Sequence, residues 1–268
     1  MTTPAWDPAQ YLRHADHRAR PFTDLLARVP GLPGEPPRIA DLGCGPGNVT
    51  ALLAERWPTA HVTGYDNSPQ MLDRARADHL GPTPGGGRLD FQEADVRTWT
   101  PAEPYDLIVS NATLHWVPGH ADRFPDWIDA LAPGGTLAFQ VPGNFDAPSH
   151  RLLRELADSP PWHDRLVGTL RHDDVLTPAE YLRRLTALGC AADVWETTYV
   201  HLLPGEDPVL DWVRGTALRP VLTALADDPA AREAFVRAYR DALRRAYPAT
   251  AHGTPFPFRR VFAVARKG

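Results

Sequence analysis

A doubly wound, mostly parallel α/β sheet carrying a helical lid insertion is the fold class this sequence predicts, and three observations predict it. Strand-like and helix-like segments alternate through the first half of the chain. A glycine turn, Gly43-Cys44-Gly45-Pro46-Gly47, joins the first apolar strand to the first helix. Polar side chains then close successive strands in chain order: Asp41, Asp66, Asp95 and Asn111. Sheets of this type bind small ligands at those carboxyl ends.

The elements follow in order. Arg38 to Leu42 reads as a short buried strand, and a helix from Asn48 to Arg56 leaves the glycine turn. His61 to Tyr65 is a second strand, ended by Asp66. Ser68 suits an N-cap and Pro69 the first helical position, so a helix runs on to Ala77. Leu89 to Ala94 is the third strand and Tyr105 to Ser110 the fourth. A helix from Ala121 to Leu131 stops at Pro133-Gly134-Gly135, and Thr136 to Val141 is the fifth strand. Phe124, Trp127, Ile128 and Leu131 have helical spacing and read as core. Beyond Asn144 the rhythm turns helical. Arg151 to Ala157, Asp207 to Gly215 and Ala230 to Tyr247 read as helices, and Thr177-Pro178-Ala179-Glu180 is a capping box that opens another. Val194 to Val200 and Arg260 to Ala265 supply two more strands to the same sheet. The chain thus divides into an N-terminal helical segment over the ligand site (1–36), a ligand-binding α/β core (37–145), and a lid with the last strands (146–268).

Composition narrows the class. The 268 residues include 28 basic and 33 acidic ones, a formal charge of -5. That excess argues against a nucleic-acid partner, which needs a basic face. No apolar run approaches the ~20 residues of a membrane span, and the N-terminus lacks a signal-peptide core. Cys44 and Cys190 are too few for a disulfide framework and suit a reducing compartment. The expectation is a cytoplasmic protein, monomeric or weakly dimeric, whose partner is a small molecule, with no membrane and no nucleic acid.

The glycine turn separates two classes of ligand. In a Gly-x-Gly-x-x-Gly dinucleotide turn, the third glycine lets helix and strand pack closely beneath a pyrophosphate. Here that position is Asn48, and the third glycine falls one residue early, at Gly47. Asp41 would repel a diphosphate, whereas it suits a ligand that carries an ammonium and a sulfonium. Asp66 stands where an acid accepts from ribose hydroxyls, and Asp95-Val96 where a carboxylate and an apolar side chain flank an adenine. A nucleotide-binding or NAD-dependent protein is the reading from another class.

Asp41-Leu42-Gly43-Cys44-Gly45-Pro46-Gly47 resembles the glycine motif of class I methyltransferases. More closely, nearly the whole chain resembles the trans-aconitate 2-methyltransferase family. That likeness lies in Trp6-Asp7-Pro8 with Tyr11-Leu12, Arg18-Ala19-Arg20-Pro21, Asp66-Asn67-Ser68-Pro69 and Ser110-Asn111-Ala112-Thr113-Leu114-His115-Trp116. It continues in Gln140-Val141-Pro142-Gly143-Asn144, Trp195-Glu196-Thr197-Thr198-Tyr199, Leu210-Asp211-Trp212, Leu218-Arg219-Pro220 and Phe256-Pro257. His115 stands where some members carry Gln. The resemblance implies a seven-stranded sheet with its last strand antiparallel. It also implies S-adenosyl-L-methionine as cofactor, S-adenosyl-L-homocysteine as product, and monomethyl esterification of a small tricarboxylic acid. The cofactor-side candidates are then Asp41, Gly43, Gly45, Gly47, Asp66, Asn67, Met71, Asp95, Val96 and Asn111.

Esterifying a carboxylate asks little of a base, since an acid of pKa ~4 is ionised at neutral pH. The chemistry wants in-line alignment, exclusion of water and neutralisation of the other carboxylates. It predicts clamping donors, with neither a nucleophile triad nor a metal. Arg18, Arg219, Arg259 and Arg260 are clamp candidates, because a guanidinium fork matches a carboxylate. Arg219, between apolar Leu218 and Pro220, leads them. His115 and Trp116 follow the fourth strand and should face the transfer site. Tyr11, Asn144 and Tyr199 complete the substrate-side candidates. The alternative acceptor is another small metabolite, through a hydroxyl or a carrier-bound acyl acid.

Overall fold

The computed structural model describes residues 15–170 and 175–268, with side chains from Arg20 onward. The first described element is helix α1 (Ala15–Leu26). There follow β1 (Arg38–Leu42), α2 (Asn48–Arg56), β2 (His61–Asp66), α3 (Pro69–His79), β3 (Gly81–Pro82), β4 (Arg88–Glu93) and β5 (Tyr105–Asn111). After two short 3-10 turns come α4 (Phe124–Asp129), β6 (Leu131–Pro142), α5 (Pro148–Ala157), α6 (His163–Leu166) and α7 (Pro178–Ala187). The chain ends with β7 (Ala191–Leu203), α8 (Pro208–Arg214), α9 (Arg219–Ala224), α10 (Pro229–Ala246) and β8 (Thr254–Arg266).

The strands form one sheet in the order β3-β4-β2-β1-β5-β6-β8-β7. β4, β2, β1, β5 and β6 are parallel to their neighbours in that run. β8 runs antiparallel to β6, as the resemblance implies. The sheet has eight strands, not seven. The extra one is β3, a two-residue Gly-Pro pairing with β4, too short to show any periodicity.

β1 and β5 are buried almost throughout, as strands covered on both faces of a parallel sheet are. The order reverses between β1 and β5: successive crossovers carry the chain from β1 outward through β2 to β4, then back to β5. In open α/β sheets, ligands bind at such a switch point, outside the carboxyl ends of the strands.

The described residues fall into two compact units. One holds those up to Pro142, those from 175 to Thr197, and Arg260–Gly268; the other holds those from Gly143 to 170 and Thr198–Arg259. The first core gathers Leu42, Ile108, Phe124, Trp127, Phe139, Tyr181 and Val261. The second gathers Leu153, Trp212, Leu218, Leu225, Phe235, Tyr239 and Phe256. No helix is long and apolar enough to cross a membrane among the described residues.

Two local expectations are corrected. The helix expected from Ala121 begins at Phe124, behind a 3-10 turn (His120–Arg123), because Pro125 occupies a first-turn position. Leu131 is buried as expected, but it opens β6 rather than closing the helix. The Thr177 capping box forms in full, with the Thr177 Oγ1 accepting from the Glu180 N–H and the Glu180 carboxylate accepting from the Thr177 N–H.

Candidate cofactor site

β1 delivers Asp41 to the carboxyl end of the sheet, fully buried. Its Oδ2 accepts from the Thr50 hydroxyl in the first turn of α2, at 2.7 Å. Its Oδ1, equally buried, has no hydrogen-bond donor. Burial raises the carboxyl pKa to about 7, against the Thr50 hydrogen bond and with a contribution from Asp66. A half-satisfied buried carboxylate is costly unless a cation or donor completes it.

The turn after Asp41 is held by backbone. Gly43 and Cys44 N–H both donate to the Tyr65 carbonyl, at 2.7 and 3.0 Å. Gly45 N–H donates to Asp66 Oδ2 at 2.9 Å, and Ser68 N–H to Asp66 Oδ1 at 2.9 Å. Asp66 thus ties the turn to the start of α3, while each of its oxygens keeps a second lone pair for a ligand hydroxyl. Burial raises the Asp66 pKa, and these N–H donors oppose the rise.

Glycine is required for two different reasons. At Gly43 (φ +79) a Cβ would lie 2.2 Å from the Thr113 side chain. That side chain bonds the Gly43 carbonyl and locks the turn to the end of β5. At Gly45 (φ +55) a Cβ would meet nothing within 4 Å, so the space beside it is open to a ligand.

The residue after β5, Ala112, has φ +54, a left-handed conformation that a non-glycine residue adopts at a cost. Asn111, just before it, is buried, and its Oδ1 accepts from Gln140. His115 and Trp116 follow in a 3-10 turn (Leu114–Trp116), rings 4.8 Å apart and half-buried.

The remaining cofactor-side residues divide. Met71 is buried on α3 and Asn67 is exposed. Val96 belongs to the core beside Trp99. Gly47 (φ +84) closes the turn at the N-cap of α2. Asp95 is gripped by Arg97, through both the guanidinium and the backbone N–H, and this pair holds its pKa below the ordinary carboxylate value. Cys44 is buried, and its thiol is pushed up by that burial, so it is no thiolate.

Of the substrate-side candidates, Tyr11 lies outside the described residues, and so does the side chain of Arg18 on α1. Four belong to the second unit. Asn144 is buried and bonds the Arg259 backbone twice, its Nδ2 donating to the carbonyl at 2.9 Å and its Oδ1 accepting the N–H at 2.7 Å. Arg259 Nη1 donates to the Gly143 carbonyl. Tyr199 is buried on β7, and Arg219 is half-buried at the start of α9.

Three contributors escape the sequence reading or enter it without a role: Thr50, Thr113 and Gln140. Two of them left a signal. Thr50 sits in the first turn of the helix that follows the Asp41 strand, and Gln140 is a lone amide among Leu137, Ala138, Phe139 and Val141.

A family model described as a methyltransferase domain matches residues 39–135. The chain is 78% identical over 267 residues to the trans-aconitate 2-methyltransferase of Streptomyces coelicolor, covering 99% of this chain and 88% of that one. It is 76% identical over 265 residues to the protein of the same name from Streptomyces avermitilis, covering 98% and 97%. Among solved structures, the YcgJ protein of Bacillus subtilis matches with a TM-score of 0.55 at 16% identity, over 94% of this chain and 98% of that one, a likeness of fold alone.

Proposed function

Since this chain belongs to the trans-aconitate 2-methyltransferase family, we propose that it esterifies one carboxylate of trans-aconitate, or of a closely related small polycarboxylic acid, with a methyl group. The methyl donor is S-adenosyl-L-methionine, whose sulfonium supplies both an activated methyl group and a neutral thioether leaving group. One observation carries the donor half: the Asp41 Oδ1, buried and without a donor, beside a glycine turn with open space at Gly45. An amino-acid ammonium satisfies such an oxygen, whereas a pyrophosphate would be repelled by it. The acceptor half rests on full-length likeness to relatives that carry the name.

In this reading Asp41 takes the ammonium, Asp66 the ribose hydroxyls, and the glycine turn lies along the ligand. Met71 and Val96 offer apolar surface to the adenine. The acceptor arrives ionised, so no side chain has to remove a proton. What the protein supplies is orientation, exclusion of water and countercharge. Arg219, Arg259 and Arg18 are the proposed countercharges for the non-reacting carboxylates. His115, Trp116, Asn144, Tyr199 and Tyr11 are the further proposed substrate-side residues.

The test is a panel of acids with methyl-labelled donor. Base-labile label on trans-aconitate, with far less on monocarboxylates, is the expected result. Label only on hydroxyl compounds or carrier-bound acyl acids would overturn the acceptor.

A further inference from the structure

Asn111, Gln140 and Arg260 stand on three neighbouring strands. Asn111 of β5 is the register partner of Gln140 on β6. Arg260 of β8 pairs with Pro142, two residues further along β6, so all three side chains share one face. Each is buried: Asn111 is 6% exposed, Gln140 1% and Arg260 6%. Arg260 Nη1 donates to Gln140 Oε1 at 3.3 Å, and Gln140 Nε2 donates to Asn111 Oδ1.

This chain has a direction. A guanidinium holds donors only, so it draws the Gln140 oxygen toward itself and turns the Gln140 NH2 toward Asn111. Asn111 must answer with its oxygen, which leaves its own NH2 as the end of the chain. The strained Ala112 follows directly, its N–H bonded to the Gln140 carbonyl at 3.0 Å. That pairing fixes the backbone on which the Asn111 amide sits.

We infer that Arg260 and Gln140 are positioning residues that keep the Asn111 amide turned donor-outward at the carboxyl end of β5, where it binds a carboxylate oxygen. The inference rests on the proposed function in one respect: both small molecules, the amino-acid end of the methyl donor and the polycarboxylate acceptor, carry carboxylates. The experiment tells the two sources apart.

Gln140→Glu is the decisive variant. A carboxylate here accepts from Arg260 and has no proton to donate, so Asn111 must turn over and present its oxygen outward. The new ion pair with Arg260 keeps the fold, so the melting temperature should not fall. Calorimetry with S-adenosyl-L-homocysteine reads the first source; KM for trans-aconitate at saturating methyl donor reads the second. One of the two should weaken by ~10- to 100-fold, through loss of a charge-assisted donor and gain of a repulsive oxygen, and the arm that moves names the ligand. On an Asn111→Ala background the same substitution should add nothing, because its effect passes through Asn111.

Unchanged binding and unchanged KM in a folded variant overturn the inference. So does equal weakening on both backgrounds, which would mean that the charge acts through space. If Gln140→Glu does not fold, Gln140→Met takes its place, with a smaller expected loss of ~3- to 10-fold in the same arm and the same requirement of no added effect beside Asn111→Ala. Wild-type protein that does not methylate trans-aconitate would sink the acceptor assignment instead, and the calorimetric arm alone then decides the amide chain.

Discussion

Asp41 is poorly satisfied by its own protein, with one buried carboxylate oxygen lacking a donor. Its pKa near 7 lies above the ordinary 3.8. Between those values the native state holds a proton that the unfolded chain has released. By linkage, its contribution to stability is whole below about pH 4 and is lost as pH rises through 7, a swing of roughly 4 kcal/mol at most. Asp41→Asn should therefore raise the melting temperature of the ligand-free protein at pH 8, and the gain should shrink through pH 5 and vanish only below about pH 4. The Asn oxygen still accepts from Thr50, while the lost charge should weaken S-adenosyl-L-methionine binding at least tenfold by titration. A variant that melts lower than wild type at both pH values would show that Asp41 is already satisfied in the fold. Arg219 calls for the opposite signature. As a proposed partner of a non-reacting carboxylate, its removal in Arg219→Ala should raise KM for trans-aconitate by ~10- to 1,000-fold. Cofactor affinity should be unchanged, and Arg219→Lys should restore part of the loss. Equal damage with a monocarboxylate acceptor would return Arg219 to a packing role.

At the scale of elements, the glycine turn separates stability from binding within three residues. Gly43→Ala places a Cβ 2.2 Å from Thr113, on a backbone with φ +79, so it should cost folding stability, several kcal/mol by analogy with overpacked cores. Gly45→Ala meets no atom and should cost only ~1–2 kcal/mol for its left-handed conformation, yet it should lose most cofactor affinity. Thermal melts beside calorimetry check the pair. If Gly45→Ala binds as wild type does, the open space there is not part of the ligand site. This turn was legible in the sequence, because glycines, a strand-end acid and a following helix lie within ten residues of one another. β1 and β5 were legible for a like reason, each being short, mostly apolar and bounded by turn residues. What the sequence hid are meetings made by strand order. Gln140 and Arg260 lie 120 residues apart, and no spacing along the chain announces their pairing. Asp95 is a cofactor-side candidate from its strand-end place, and its contact with Arg97, two residues on, is one that strand-end position does not announce. Short elements such as α9 and the two-residue β3 carry too few residues for any periodicity to show.

At the scale of the molecule, the chain builds two cores, and the proposed roles divide between them. Asp41, Gly45, Asp66, Asn111, Gln140 and Arg260 all belong to the first unit, whereas Asn144, Tyr199, Arg219 and Arg259 belong to the second. The second core closes around Phe235 and Tyr239 on α10, both fully buried, with Trp162 set edge-on to Phe235 at 5.2 Å. The Tyr239 hydroxyl donates to the Ser149 carbonyl at 2.7 Å, and the Tyr247 hydroxyl accepts from the Ser149 N–H at 3.0 Å, so α10 holds the start of α5 by hydrogen bonds as well as by packing. Phe235→Ala empties the middle of that core and should cost ~3–5 kcal/mol, a transfer loss plus a cavity. Because contacts within a unit far outnumber any single bond lost, the damage should stay where the cavity is. Hydrogen exchange should then find amides between Thr198 and Arg259 losing protection, while those of β1, β2, β5 and β6 keep theirs. S-adenosyl-L-homocysteine should bind the variant within a few-fold of wild type, since every residue assigned to it here lies in the first unit. Loss of protection across β1 and β5 together with the second unit would show one cooperative fold, and loss of cofactor affinity would place part of its site in the second unit.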